Sequence, residues 1–204
     1  MFIFVSFLIL SYLVGSIPSS YLAGKGFRGI DLRKHGSGNL GATNAFRVLG
    51  WKIGVFVLIC DMLKGALPVF FFPGIIARWG EIAWDQGNIA ILIGAASILG
   101  HVFTLFMRFK GGKGVATSMG VFLALVPVPF LMTLAVSLLI IAATHYVSAG
   151  SLTGAVLLPL LVIFFYPRRL PLILVSLLVG ILLVIRHRPN IKRLIQGKEN
   201  KLFP

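Results

Sequence analysis

The sequence is poor in acid. Its 204 residues hold 5 Asp and Glu against 19 Lys and Arg, and all charged residues together make up only 12%. A soluble domain carries about 25% charged residues. With so few carboxylates, paired-acid catalysis and acidic metal cages are poorly supplied. There is a single cysteine, Cys60, inside an apolar run, which excludes a disulfide framework and a cysteine zinc site. A cleavable secretory signal is not expected. Met1–Ala23 has no basic residue ahead of its apolar stretch, and the first cation, Lys25, follows it, so the segment reads as a retained membrane helix.

What remains is hydrophobic and basic. Apolar residues make up 58% and the mean hydropathy is +0.99. The length suits one integral-membrane domain over 1–204 and leaves no room for a separate soluble one. A formal net charge of +14 points to anionic partners. Because the cations lie between long apolar runs, lipid headgroups and small phosphates are expected, and nucleic acid is not.

A spanning helix needs about 20 mostly apolar residues. Stretches 2–23, 52–75, 87–107, 149–166 and 170–186 meet that need. The stretch from Val115 to Tyr146 is too long for one span and short for two. Pro127 and Pro129 divide it into 115–126 and 129–147. The expected fold is therefore all-α, a polytopic bundle of about seven transmembrane helices, with a re-entrant pair over 115–146 as the alternative. Lys and Arg favour cytoplasmic loops. With the N-terminus outside and the C-terminus cytoplasmic, three cytoplasmic segments gather nearly all the charge, and Arg78, Arg168 and Arg169 remain outside. Small-residue pairs at helix-packing spacing occur at Gly50 and Gly54, Ala96 and Gly100, and Gly150 and Gly154. No internal repeat of the transporter kind is visible.

Four polar segments interrupt the apolar runs. The first is Gly36-Ser-Gly-Asn-Leu-Gly-Ala-Thr-Asn44, followed by Arg47. Gly36, Gly38 and Gly41 match a dinucleotide fingerprint only formally, since no strand precedes them. Glycines can turn backbone N–H groups into an anion-binding concavity. Ser37, Asn39, Thr43 and Asn44 add neutral hydrogen-bonding groups, and Arg47 adds a planar fork suited to phosphate. A plain flexible turn is the competing reading. The second segment is Arg108-Phe-Lys-Gly-Gly-Lys-Gly114, which is not a Walker loop because Gly114 follows the lysine. Gly111, Gly112 and Lys113 can still present donors to an anion, while Lys110 can snorkel to the headgroups. The third is the uncharged turn Tyr146-Val-Ser-Ala-Gly-Ser151, which contains Ser148. The fourth is Arg186-His-Arg-Pro-Asn-Ile-Lys-Arg193, where His187 and Asn190 sit three apart. The four histidines, His35, His101, His145 and His187, all fall near the predicted cytoplasmic side, and His101 and His187 are the functional candidates because they flank the glycine segments. No ligand spacing suggests a metal. Asp61 and Lys64, at i and i+3 within the second span, are expected to form an internal ion pair.

Together, Tyr12-Leu-Val-Gly-Ser-Ile-Pro-Ser-Ser-Tyr21, Gly36–Asn44, Gly100-His-Val-Phe through Phe109-Lys-Gly-Gly-Lys-Gly114, and Arg186–Arg193 resemble one family: the bacterial acyl-phosphate-dependent glycerol-3-phosphate acyltransferases. The resemblance runs through almost the whole chain. Thr104 departs from it, standing where a proline is expected. The resemblance implies acyl transfer from acyl phosphate to the 1-hydroxyl of glycerol 3-phosphate, giving 1-acylglycerol 3-phosphate (lysophosphatidic acid) and inorganic phosphate. This is the first acylation of phospholipid synthesis. It implies no cofactor and no metal, a bacterial inner-membrane location, a site on the cytoplasmic face, and supply by the soluble enzyme that makes acyl phosphate. Expected catalytic residues are Ser37, Asn39, Lys113 and His187. Expected substrate contacts are Gly36, Gly38, Gly41, Thr43, Asn44, Arg47, His101, Lys110, Gly111, Gly112, Ser148 and Asn190. Acyltransferases of another class carry His and Asp separated by four residues, and none of the histidines here has an Asp five positions on. A transporter of phosphorylated anions is the rival reading, and an inactive scaffold a weaker one.

Overall fold

The computed structural model describes residues 1–79 and 84–201. Among the described residues the regular structure is entirely helical. The chain divides into two compact units, Met1–Leu125 and Val126–Pro204.

The first unit opens with α1 (Phe2–Ser16) and α2 (Ser19–Arg28). The expected span 2–23 is present as the apolar stretch Phe2–Arg28, with a local break in the helix where Pro18 lacks the N–H that would continue the ladder. Ile17, the residue before it, is pushed to ψ 117°. After α3 (Ala42–Leu49) comes α4 (Trp51–Trp79), which runs through Pro68 and Pro73 without ending. Such prolines are tolerated where membrane neighbours re-satisfy the freed carbonyls. Helix α5 (Gln86–Val102) stops short of the expected 107, and a single 3₁₀ turn at Leu105–Met107 follows. The unit closes with α6 (Val115–Leu125).

Close backbone approach holds this unit together, as expected where lipid removes the hydrophobic drive between helices. A side chain at Gly100 would land on the Tyr12 carbonyl of α1, and one at Gly120 on the Met62 carbonyl of α4. The expected contact positions Gly54 and Gly100 do meet neighbouring helices, whereas Gly50 faces open space and serves the α3–α4 turn at φ +92°.

The second unit contains α7 (Pro127–Thr144), α8 (Val147–Phe165), α9 (Leu170–Arg186) and α10 (Arg188–Ile195). Pro127 opens α7 at the position where a missing N–H costs nothing. A side chain at Gly150 would collide with the Ser137 carbonyl and Ile141 of α7, and a Cβ at Gly154 would stand 3.0 Å from Ser137 Oγ.

Five helical stretches are long and apolar enough to cross a membrane, and a sixth if α9 and α10, bent by 58°, count as one. Helix α6 has 11 residues, about 16 Å of rise, which is less than a bilayer core. The split at Pro127 therefore exists, while the number of complete spans among the described residues is five or six by length.

Candidate active site

In the first unit, the segment Gly36–Asn44 is a shaped loop. Gly36 and Gly38 adopt φ +60° and +69°, the left-handed region that glycine enters without strain. A side chain at Gly36 would collide with Asn44 Oδ1. Asn44 is buried and acts as the stay of the loop. Its Oδ1 accepts the Ser37 N–H at 2.9 Å, and its Nδ2 donates to the His35 and Leu32 carbonyls at 3.1 and 3.4 Å. Both amide hydrogens are committed inside the chain, and the Gly38 N–H is committed to the His35 carbonyl at 3.1 Å. The expected nest of free backbone donors is thus partly spent on holding its own shape. The loop instead presents an exposed Ser37 and a half-buried Asn39. Thr43 and Arg47 follow on α3, one turn apart and half-buried. Arg33 beside the loop is occupied by Asp31, with Nη2 to Oδ2 at 2.7 Å. That hydrogen bond pulls the Asp31 carboxyl down to about 2.

The second segment folds back onto the end of α5. Gly111 N–H donates to the Val102 carbonyl at 3.1 Å and Gly112 N–H to the His101 carbonyl at 3.2 Å. These bonds satisfy carbonyls that a helix end otherwise leaves open, so these two donors cap α5. A side chain at Gly112 would strike His101 Nε2 and would stand 2.6 Å from the Leu40 carbonyl. The two glycine segments and His101 therefore meet at one point. Lys113 is half-buried just beyond it, and Lys110 is exposed.

Beneath this junction lies the buried ion pair that the sequence suggests. Lys64 Nζ sits 2.8 Å from Asp61 Oδ1, with both side chains buried. The same ammonium donates to the Ile17 carbonyl at 2.8 Å, at the break between α1 and α2. Asp61 also faces His101 Nδ1 at 3.7 Å. No local sequence spacing reveals this pairing, since the partners are 40 positions apart and meet only when α4 packs beside α5. His101, 5% exposed, has a carboxylate on one ring nitrogen and the Gly112 backbone against the other. It is placed to position the loops.

The Tyr12–Tyr21 motif proves to be the clamp on this assembly. Tyr12 OH donates to the Phe103 carbonyl, and Ser16 Oγ donates to the Gly100 carbonyl at 3.2 Å. Thr104, the departure from the family pattern, is buried, and its hydroxyl donates to the Ser16 carbonyl. It thereby ties the end of α5 to the α1–α2 break.

In the second unit, Ser148 and Asn190 converge on a residue that sequence reasoning missed. Glu199 is buried and accepts from Ser148 Oγ at 3.0 Å, Asn190 Nδ2 at 2.6 Å and Arg193 Nε at 2.7 Å. Burial pushes this carboxyl up, but the hydrogen bonds from Asn190, Arg193 and Ser148 outweigh it and hold it below the usual carboxylate range. The available signal was scarcity: Glu199 is the acid nearest to the basic segment Arg186–Arg193. His187 is buried, with Nδ1 2.8 Å from the Leu183 carbonyl. A carbonyl can only accept, so Nδ1 carries the proton and Nε2 is the basic nitrogen of the neutral ring. Among the described residues no three His, Cys, Asp or Glu side chains group as metal ligands.

Comparison with known proteins agrees with this architecture. The family model described as glycerol-3-phosphate acyltransferase matches residues 5–197. A glycerol-3-phosphate acyltransferase of Fusobacterium nucleatum is 46% identical over 198 residues, covering 97% of each chain. One of Trichlorobacter lovleyi is 45% identical, covering 94% of this chain and 93% of the relative. Crystal structures of PlsY, an integral membrane glycerol 3-phosphate acyltransferase, in its glycerol 3-phosphate and lysophosphatidic acid forms, superpose with a TM-score of 0.83 at 36% identity. Each covers 97% of this chain and 94% of the other. The chain is thus a multi-pass membrane protein that belongs to the glycerol-3-phosphate acyltransferase family.

Proposed function

We propose that this chain transfers an acyl group from acyl phosphate to the 1-hydroxyl of glycerol 3-phosphate, releasing inorganic phosphate and 1-acylglycerol 3-phosphate. The observation that carries the reading is the meeting of Leu40, His101 and Gly112, which joins the two glycine segments. One built site then has the Ser37 and Asn39 donors on one side and Lys113 on the other. Both substrates carry a phosphate, which accounts for an acid-poor chain with 19 cations.

The chemistry asks little of the protein. The donor is a mixed anhydride and is already activated. The glycerol hydroxyl attacks the acyl carbonyl carbon, and the bond from that carbon to the phosphate oxygen breaks. Phosphate leaves with the electron pair, and the hydroxyl proton passes to a phosphate oxygen beside the attacked carbon. Ser37 and Asn39 donate to the developing oxyanion or to a phosphate. Lys113 neutralises charge that grows as the anhydride bond breaks, and Arg47 holds a phosphate through its fork. Since His101 is engaged between Asp61 and Gly112, the substrate phosphate is favoured over it as base. Within the second unit, His187 and Asn190 stand at the exit of α9 and Ser148 at the start of α8, where Ser148 and Asn190 both donate to Glu199.

The charge pattern supports a single domain over 1–204 with seven spans, α6 being the short one. The N-terminus is then outside the bacterial inner membrane, and the C-terminus and the site are cytoplasmic. A soluble acyl-phosphate-forming enzyme would supply the donor. Proteoliposomes given labelled glycerol 3-phosphate and acyl phosphate test the reading. Label should appear as extractable monoacyl lipid. Label accumulating unmodified in the lumen would favour a transporter instead.

A further inference from the structure

Helix α10 has two faces with different work. Asn190 and Arg193 turn inward to Glu199. On the outer face Arg188, Lys192 and Ile195 are exposed, Ile195 to 82%. With Ile191 and Gln196 they line a shallow recess of about 300 Å³. Arg188 and Lys192 are one turn apart, as are Ile191 and Ile195, so a cationic stripe runs beside an apolar one. Helix α10 leaves the membrane helix α9 at a bend of 58°. That course suits a helix lying in the headgroup layer, with cations beside headgroup phosphates and isoleucines against the upper acyl chains. The carboxylate nearest in sequence, Glu199, is buried and engaged, so it leaves these cations uncompensated.

We propose that the outer face of α10 binds an anionic phospholipid, its phosphate held between Arg188 and Lys192 and an acyl chain lying along Ile191 and Ile195. A free phosphate would use the two cations and leave the isoleucines unexplained. The inference rests on membrane placement and not on the proposed chemistry, so it stands or falls separately from it.

Native mass spectrometry of the full chain in detergent, titrated with phosphatidylglycerol or phosphatidylcholine, tests it. Saturable binding of phosphatidylglycerol in preference to phosphatidylcholine is expected. The paired change Arg188→Gln and Lys192→Gln should weaken it roughly twenty-five-fold, since each cation near an anionic headgroup contributes about a factor of five. The charge-keeping pair Arg188→Lys and Lys192→Arg should retain binding, and so should a control, Lys25→Gln with Arg28→Gln, on α2. Ile195→Ser, at an exposed position that leaves the fold intact, should weaken lipid binding without altering the response to inorganic phosphate. Equal binding of the two lipids, or unchanged phosphatidylglycerol binding in either the Gln pair or Ile195→Ser, overturns the proposal.

Discussion

Lys113 and Lys110 lie three residues apart, yet their settings differ. Lys113 is half-buried beyond the junction of the glycine segments, and Lys110 is exposed beside Phe109. A charge held close to the site stabilises the leaving phosphate most in the transition state, and that raises the chemical rate. Lys113→Ala should therefore cut kcat by about 10²–10³, the scale of losing one preorganised electrostatic contact. Lys110→Ala should change it less than tenfold. Steady-state kinetics on folded, membrane-inserted variants decide this, and the reverse order would move the site to the other lysine. The residue types at this site are open to sequence reading because glycine, lysine and serine are rare neighbours within an apolar chain. Their division of labour is not. Asn44 reads as a substrate contact until its amide is seen to hold the His35 and Leu32 carbonyls. Asp61 reads as the partner of Lys64 alone, because its approach to His101 depends on how α4 and α5 pack.

At the scale of elements, the end of α5 is the keystone of the first unit. Its open carbonyls are closed by Gly111 and Gly112, and its last turn is tied to α1 by Tyr12 and Ser16. Gly112→Ala would drive a methyl group against His101 and the Leu40 carbonyl, which is backbone and cannot swing aside. Activity should fall at least tenfold while the chain still inserts and elutes as wild type, because the strain falls on the junction and not on the spans. Wild-type turnover in Gly112→Ala would separate the two glycine segments. In the second unit the element-level feature is the tail carboxylate Glu199. Its folded-state pKa lies below the ordinary value, so its contribution to stability is complete above about pH 4.3 and fades as pH falls through the lower folded value. Thermal melts in detergent should show that loss below about pH 4.3, and Glu199→Gln should be less stable at neutral pH and flatter across the acid range. Helix positions follow closely from apolar run length, as the match of α9 to 170–186 illustrates. Breaks follow less well. Pro18 interrupts a run whose hydropathy continues, and α5 ends five residues early because Thr104 and the returning glycines terminate it.

For the whole molecule, charge distribution and reaction are two aspects of one arrangement. On the proposed topology, with only Arg78, Arg168 and Arg169 outside, the cytoplasmic cations would suit an enzyme that draws acyl phosphate from the lipid and glycerol 3-phosphate from water. Labelling a cysteine added at the C-terminus should require permeabilised cells, and labelling of intact cells would invert the topology. The central claim is acyl transfer from an acyl phosphate. It is tested most directly by following phosphate release from acyl phosphate by the purified chain. Release should depend strictly on glycerol 3-phosphate and match the monoacyl product one for one. Release without glycerol 3-phosphate, or product formed from an acyl thioester with no phosphate released, would contradict it.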